Sequence, residues 1–255
     1  MPTFDSGGTN IYYEVHGEGP PVLLTHGYSA TAQMWRPQLE ALGRSHQLIV
    51  WDIRGHGHSA VPADPSELTE AHAVADMTRL LDHLGIERAV IGGLSLGGYL
   101  SLAFQLRHPD RTQALLIIDT GPGFKKDAAR EAWNRQANAM ADEIAAKGVG
   151  ALSDRSAEMA TSQHDDLSGV VLAGRTLLTQ YNPSVIESLP HIGCPSLVVV
   201  GALDEPFLAA SSYMAGKIPD ARLEVVADAG HAVNIDQPAA FNAVVGSFLR
   251  GLDPA

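Results

Sequence analysis

Ser95 lies in GGLSLGGYL, residues 92–100, where four glycines surround one hydroxyl between two apolar stretches. RAVIG before it reads as a strand and YLSLAFQLRH after it as a helix, so Gly93-Leu94-Ser95-Leu96-Gly97 occupies a strand-to-helix turn. So sharp a turn strains the residue at its tip, and neighbours bearing a Cβ would collide with the adjoining strand and helix. The hydroxyl is lifted out of the sheet to a helix N-terminus, where unpaired N–H groups and the helix dipole favour developing negative charge. That setting suits a nucleophile; taken alone it also describes an incidental serine in a glycine-rich turn.

The rest of the chain decides between the two. A serine hydroxyl needs a base to take its proton, and the base needs a carboxylate to orient it. Asp204 ends the run SLVVVGALD, and His231 follows RLEVVADAGH, so the chain carries the order serine, acid, histidine expected when the serine sits at such a turn of an α/β sheet. Of eleven histidines, His16, His46, His72, His83, His108 and His191 lie in or beside ordinary helices and strand starts. His56 and His58 form an H-x-H pair with no third metal ligand nearby, and His164-Asp165-Asp166 reads as a solvated loop. For the acid, Asp119 also ends a strand on the correct side of the sheet, and Glu205 and Asp228 are close in sequence, so Asp204 leads a field that stays open.

Two further loops follow strands. LLTHGYS can offer the backbone N–H of Tyr28, which with that of Leu96 would hold an oxyanion, leaving His26 a structural role. WDIRGHGHS reads as a turn braced by a buried Asp52 and Arg54.

Positioning these groups requires a particular scaffold. NIYYEVHG alternates apolar and polar residues after an SGGT turn, which predicts an antiparallel hairpin in the first 16 residues. PVLLTHG, QLIVWD, RAVIGGLS, ALLIIDTG and PSLVVVGALD are short apolar runs of the kind covered on both faces. Helical patterns at about 31–43, 69–84, 95–108, 206–217 and 237–250 alternate with them, predicting a mostly parallel sheet with helices on both faces. The nearly 80 residues between ALLIID and SLVVV exceed one crossover. Trp133, Ala137, Met140 and Ile144 at helical spacing, and VVLAGRTLL, make that stretch an inserted helical lid.

Composition agrees. The 255 residues are 45% hydrophobic and 18% charged, with mean hydropathy +0.00, as in a globular α/β domain. A net charge of −12 opposes nucleic acid and anionic membrane surfaces as partners, and Lys125-Lys126 is only a pair. A lone Cys194 beside an apolar run behaves as a small buried hydrophobe. The start MPTFDSGGTN lacks the blocks of a signal peptide and no run approaches 18 apolar residues, so the expected location is cytoplasmic.

Together, HGYS after the third strand, DIRGHGHS after the fourth, GLSLGG, GALD after the seventh and GHAVNIDQP after the eighth resemble the α/β-hydrolase superfamily across nearly the whole chain. The resemblance is to its single-lid serine hydrolase branch, which includes carboxylesterases, enol-lactonases, cofactor-free haloperoxidases and C–C bond hydrolases. It implies an eight-stranded sheet, a core of residues 1–120 and 189–255 and a lid of 121–188. It also implies Ser95 as nucleophile, His231 as base, Asp204 as acid, and Tyr28 and Leu96 as oxyanion donors, with no metal or organic cofactor.

Dehalogenases and epoxide hydrolases of this fold place aspartate where this chain has Ser95, so hydrolysis of small-molecule carboxylic esters with short to medium acyl chains is expected. A lactonase is one alternative. Another is a C–C hydrolase or lyase of the menaquinone-pathway synthase type acting on a carboxylated ring. That group tends to carry arginine just after the serine turn, where this chain has Tyr99 and Leu100. IDTGPGFKKDAAREAWNRQ is nevertheless similar to the start of its lid, and Lys125 and Arg130 could meet an anion. From a different class, a ligand-binding sensor with little turnover would keep the pocket.

Overall fold

The computed structural model describes residues 2–148, 151, 156–160 and 162–252. Its strands are β1 (Thr3–Asp5), β2 (Asn10–His16), β3 (Pro21–Thr25), β4 (Gln47–Trp51), β5 (Ala89–Leu94), β6 (Thr112–Ile118), β7 (Ser196–Gly201) and β8 (Ala221–Val226). Among the described residues they form an eight-stranded sheet in the order β1-β2-β4-β3-β5-β6-β7-β8. β1 and β2 make the expected hairpin and β2 lies antiparallel to β4; all other pairings are parallel.

Alternate residues of the central strands enter two separate cores. Leu23, Ile49, Ile91, Leu115, Ile117 and Val198 face one side; Val22, Leu24, Leu48, Val50, Val90, Leu116 and Val199 face the other. With side chains alternating along a strand, only a sheet covered on both faces can bury such runs.

The first face is covered by α2 (Glu70–His83) and α3 (Leu96–Arg107), the second by α1 (Arg36–Gly43) and α10 (Pro238–Arg250). α8 (Glu205–Ala215) packs on β7 and β8, and the short α9 (Val233–Asp236) precedes α10. Local chemistry sets these starts: the Thr69 hydroxyl accepts from the His72 amide, and prolines occupy the first turns of α1, α8 and α10. No helix among the described residues is long and apolar enough to cross a membrane.

Between β6 and β7 run α4 (Asp127–Lys147), α5 (Ala157–Ala160), α6 (Leu167–Thr176) and α7 (Ser184–Ser188). α4 packs against α6. Trp133 Nε1 donates to Leu178 O at 2.7 Å, and the Asn134 side chain holds both the N–H and the C=O of Gln180, at 2.8 and 2.9 Å.

One local expectation fails at His164 alone, and another is met with added detail. Asp165 and Asp166 are exposed, as a solvated loop requires, but the His164 ring turns inward to Gly57 N and Ser29 O, and the Asp165 amide donates to Gly57 O at 3.0 Å. Asp166 also caps α6, its side chain accepting from the Ser168 amide. Asp52 and Arg54 are both buried and brace the turn, as expected, each through its own partners. Asp52 accepts from the Ala32 and His58 amides, while Arg54 makes a two-pronged pair with the equally buried Asp76. A buried guanidinium demands a full charge partner, whereas Asp52 finds enough donors in backbone N–H groups.

Candidate active site

At the end of β5 the backbone turns through Ser95 at φ 55°, ψ −117°, a conformation few non-glycine residues adopt. Neighbouring chain holds it there. The Ser95 N–H donates to Ile118 O at 2.9 Å, and the Ser95 carbonyl accepts from the Tyr99 amide and from the Thr120 hydroxyl at 2.6 Å. The flanking glycines are required sterically, since a Cβ on Gly97 would lie 2.1 Å from Thr25 O and one on Gly93 would lie 2.4 Å from the Gly97 carbonyl carbon. Gly97→Ala therefore displaces either the serine turn or the end of β3. The expected cost is about 3 kcal/mol, a fall in Tm of roughly 6–12 °C for a chain of this size, measurable by thermal unfolding.

The loop after β3 lies against this turn. A Cβ built on Gly27, the residue before Tyr28, would sit 3.4 Å from Ser95 Cβ, and the first-turn amide of Leu96 follows the serine. His26 supports the loop from beneath. Its buried ring bonds Gly27 O through Nδ1 and accepts the Ile53 amide at Nε2, and burial pushes its pKa down to about 3. This neutral histidine is structural, as expected.

Across the sheet, the loops after β7 and β8 meet where Gly201 passes Gly230, so closely that a Cβ on Gly201 would lie 2.2 Å from Gly230 O. There the His231 Nδ1 lies 2.8 Å from Asp204 Oδ2, with Asp204 5% exposed. Burial alone would lower the His231 pKa, but the hydrogen bond and charge of Asp204, with smaller contributions from Glu158 and Asp119, outweigh it and hold the imidazole above the ordinary histidine value. With Nδ1–H turned to the carboxylate, Nε2 is left as the acceptor.

The competing carboxylates are placed differently. Asp119 is fully buried, its two oxygens accepting from the Gly201 amide at 2.8 Å and the Val233 amide at 3.2 Å, and burial pushes its pKa up to about 8. Glu205 and Asp228 are exposed. His56 and His58 diverge, His56 into the interior and His58 toward Asp165, and among the described residues no cluster of His, Cys, Asp and Glu is placed to hold a metal ion.

Ser95 borders a cavity of about 270 Å³ walled mainly by Leu96, Tyr99, Phe124, Trp133, Leu178 and Phe207. Phe207 also stacks on the His231 ring, centroid to centroid 5.0 Å at 27° between planes. Sequence reasoning missed this contact; the available signal was an aromatic residue in the first turn of the helix that Asp204 begins. No carboxylate, ammonium, guanidinium or imidazole is among the described residues lining the cavity. Arg130, expected to be free to meet an anion, instead donates to Phe124 O, Lys125 O and Asp127, closing the turn before α4.

Residues 20–168 match the family model described as alpha/beta hydrolase fold. A protein of Azorhizobium caulinodans carrying the name carbamate hydrolase RutD is 30% identical over 99% of this chain and 100% of its own length. One of Bacillus subtilis, named as a 2-succinyl-6-hydroxy-2,4-cyclohexadiene-1-carboxylate synthase, is 28% identical over 95% and 96%. Among solved structures, a thermophilic esterase from Thermogutta terrifontis, with malate bound, superposes with a TM-score of 0.84 at 28% identity, covering 98% of this chain and 97% of that one.

Proposed function

This chain is a hydrolase of the alpha/beta hydrolase family, and on that premise we propose that it cleaves uncharged carboxylic esters through Ser95, His231 and Asp204. The carrying observation is that the strained Ser95 borders a cavity whose described lining bears no ionised side chain, and that Phe207 of the same lining stacks on the imidazole held by Asp204. Ser95 Oγ attacks the acyl carbon while His231 Nε2 takes its proton. The Tyr28 and Leu96 amides receive the oxyanion, each worth about 10² to 10³ in rate. The tetrahedral species collapses as His231 returns the proton to the departing alkoxide, and a water activated by the same imidazole releases the acid from Ser95. The helices between β6 and β7 serve as the lid, with Trp133, Leu178 and Phe124 holding a short to medium acyl chain.

The same cavity weighs against a carboxylated ring as substrate, since the arginine available for it is spent on backbone carbonyls. A carboxylate moved into this space without a partner costs about 3 kcal/mol or more, near 10² in kcat/KM. p-Nitrophenyl butyrate is therefore expected to outrun mono-p-nitrophenyl succinate, of equal acyl length, by about 10² in kcat/KM. Equal values, or a fluorophosphonate label on a residue other than Ser95, would overturn the reading. Lactones share the carbonyl and the neutral charge, so an enol-lactonase activity fits the same machinery.

A further inference from the structure

We propose that His164 is a positioning residue that latches the α5–α6 segment of the insertion onto the loop carrying the Tyr28 amide, and so holds that amide in place for the reaction. The proposal rests on the assignment of Tyr28 as an oxyanion donor.

The two bonds of the ring fix its role. His164 Nδ1 lies 2.9 Å from the Gly57 amide and can only accept there, while Nε2 lies 3.0 Å from Ser29 O and can only donate. A neutral imidazole with its proton on Nε2 satisfies both; a side chain lacking either function leaves a buried backbone group unpaired. Burial, outweighing the pull of the Ser29 carbonyl and Asp165, lowers the His164 pKa and keeps the ring in the neutral form. The ring sits among His56, 5.9 Å away, His58 and Asp165.

The bond to Ser29 lands one residue from Tyr28. Ser29 is itself in the left-handed region, φ 57°, and its hydroxyl donates to Tyr28 O at 2.7 Å. A second tie lies alongside: the Tyr28 hydroxyl donates to Val170 O in α6 at 3.0 Å. Gly174, one turn further on, leaves room for it, because a Cβ there would lie 2.4 Å from the hydroxyl oxygen. Residues 28 and 29 are thus gripped from two points of the insertion. An oxyanion donor works only if it is held where the charge develops, so slackening this grip lowers turnover more than ground-state binding.

The test uses three variants of the full chain: His164→Leu, which removes both bonds; His164→Gln, which keeps an acceptor and a donor; and Tyr28→Phe, which removes only the second tie. For His164→Leu, kcat on p-nitrophenyl butyrate is expected to fall about tenfold with KM within about twofold, and Ser95 phosphonylation to slow by the same factor. Hydrogen exchange at the Gly57 amide is expected to accelerate. His164→Gln should recover most of both, and Tyr28→Phe should reproduce the kcat fall on a chain that loses one hydroxyl. Wild-type kcat in His164→Leu despite fast Gly57 exchange would overturn the proposal, as would a kcat loss with Gly57 exchange unchanged. If His164→Leu does not fold, His164→Ala is read in the same way, and wild-type kcat with accelerated Gly57 exchange overturns it. Failure of the underlying reading would show separately, as wild-type protein that fluorophosphonate does not label at Ser95.

Discussion

Replacing Ser95 with alanine is expected to lower kcat for ester hydrolysis by about 10⁶, the loss that follows when a nucleophile acting as a unit with its base is removed. The fold should survive. The strain at position 95 is imposed by the Ile118, Tyr99 and Thr120 contacts, all made with backbone atoms that alanine retains. Unfolding curves close to wild type together with abolished turnover would separate chemistry from stability. Residual hydrolysis should come from the oxyanion donors and the cavity, and so remain above that of water. Turnover within tenfold of wild type would remove Ser95 from the mechanism.

The second large effect is at Asp204. Asparagine there keeps the shape but loses the charge and the certainty of tautomer at His231, so kcat is expected to fall by about 10³ to 10⁴. The pH profile should move as well. His231 must be neutral to take the serine proton, so activity falls as pH drops through its raised pKa; in Asp204→Asn the cause of the rise is gone and the acid limb shifts to lower pH. Stability follows the opposite direction. A histidine raised above its unfolded value of about 6.5 contributes fully below that value and loses its contribution as pH climbs through the folded pKa. The window in which the enzyme becomes active is thus the window in which this contribution fades, and Asp204→Asn should be destabilised relative to wild type more at pH 5 than at pH 9. If Asp119→Asn abolished activity while Asp204→Asn retained it, the acid would belong at 119.

Much of this was legible in the sequence because the sheet and its turns obey local rules. Doubly covered strands show as apolar runs, and the turn at Ser95 shows as glycines at the two positions where a Cβ would strike Thr25 and the Gly97 backbone. The order serine, acid, histidine followed from strand ends. Contacts that join distant segments were not legible. Arg130 and His164 have side chains able either to face a ligand or to satisfy backbone carbonyls, and only the approach of Phe124 in one case and Ser29 in the other decides. Spacing could not separate Asp119 from Asp204 either, since both end strands; the difference lies in which of them meets two amides and which an imidazole.

Three consecutive residues, the last of β6 and the two after it, reach the serine turn and the loops that carry the acid and the base. Ile118 takes the Ser95 amide, Asp119 takes the amides of Gly201 and Val233 beside the acid and the base, and Thr120 takes hold of the Ser95 carbonyl. They act as a common datum from which pieces of chain remote in sequence are measured. Because the insertion departs only after that datum, its helices can be lengthened, exchanged or retuned for another acyl group without shifting the reference points of the chemistry.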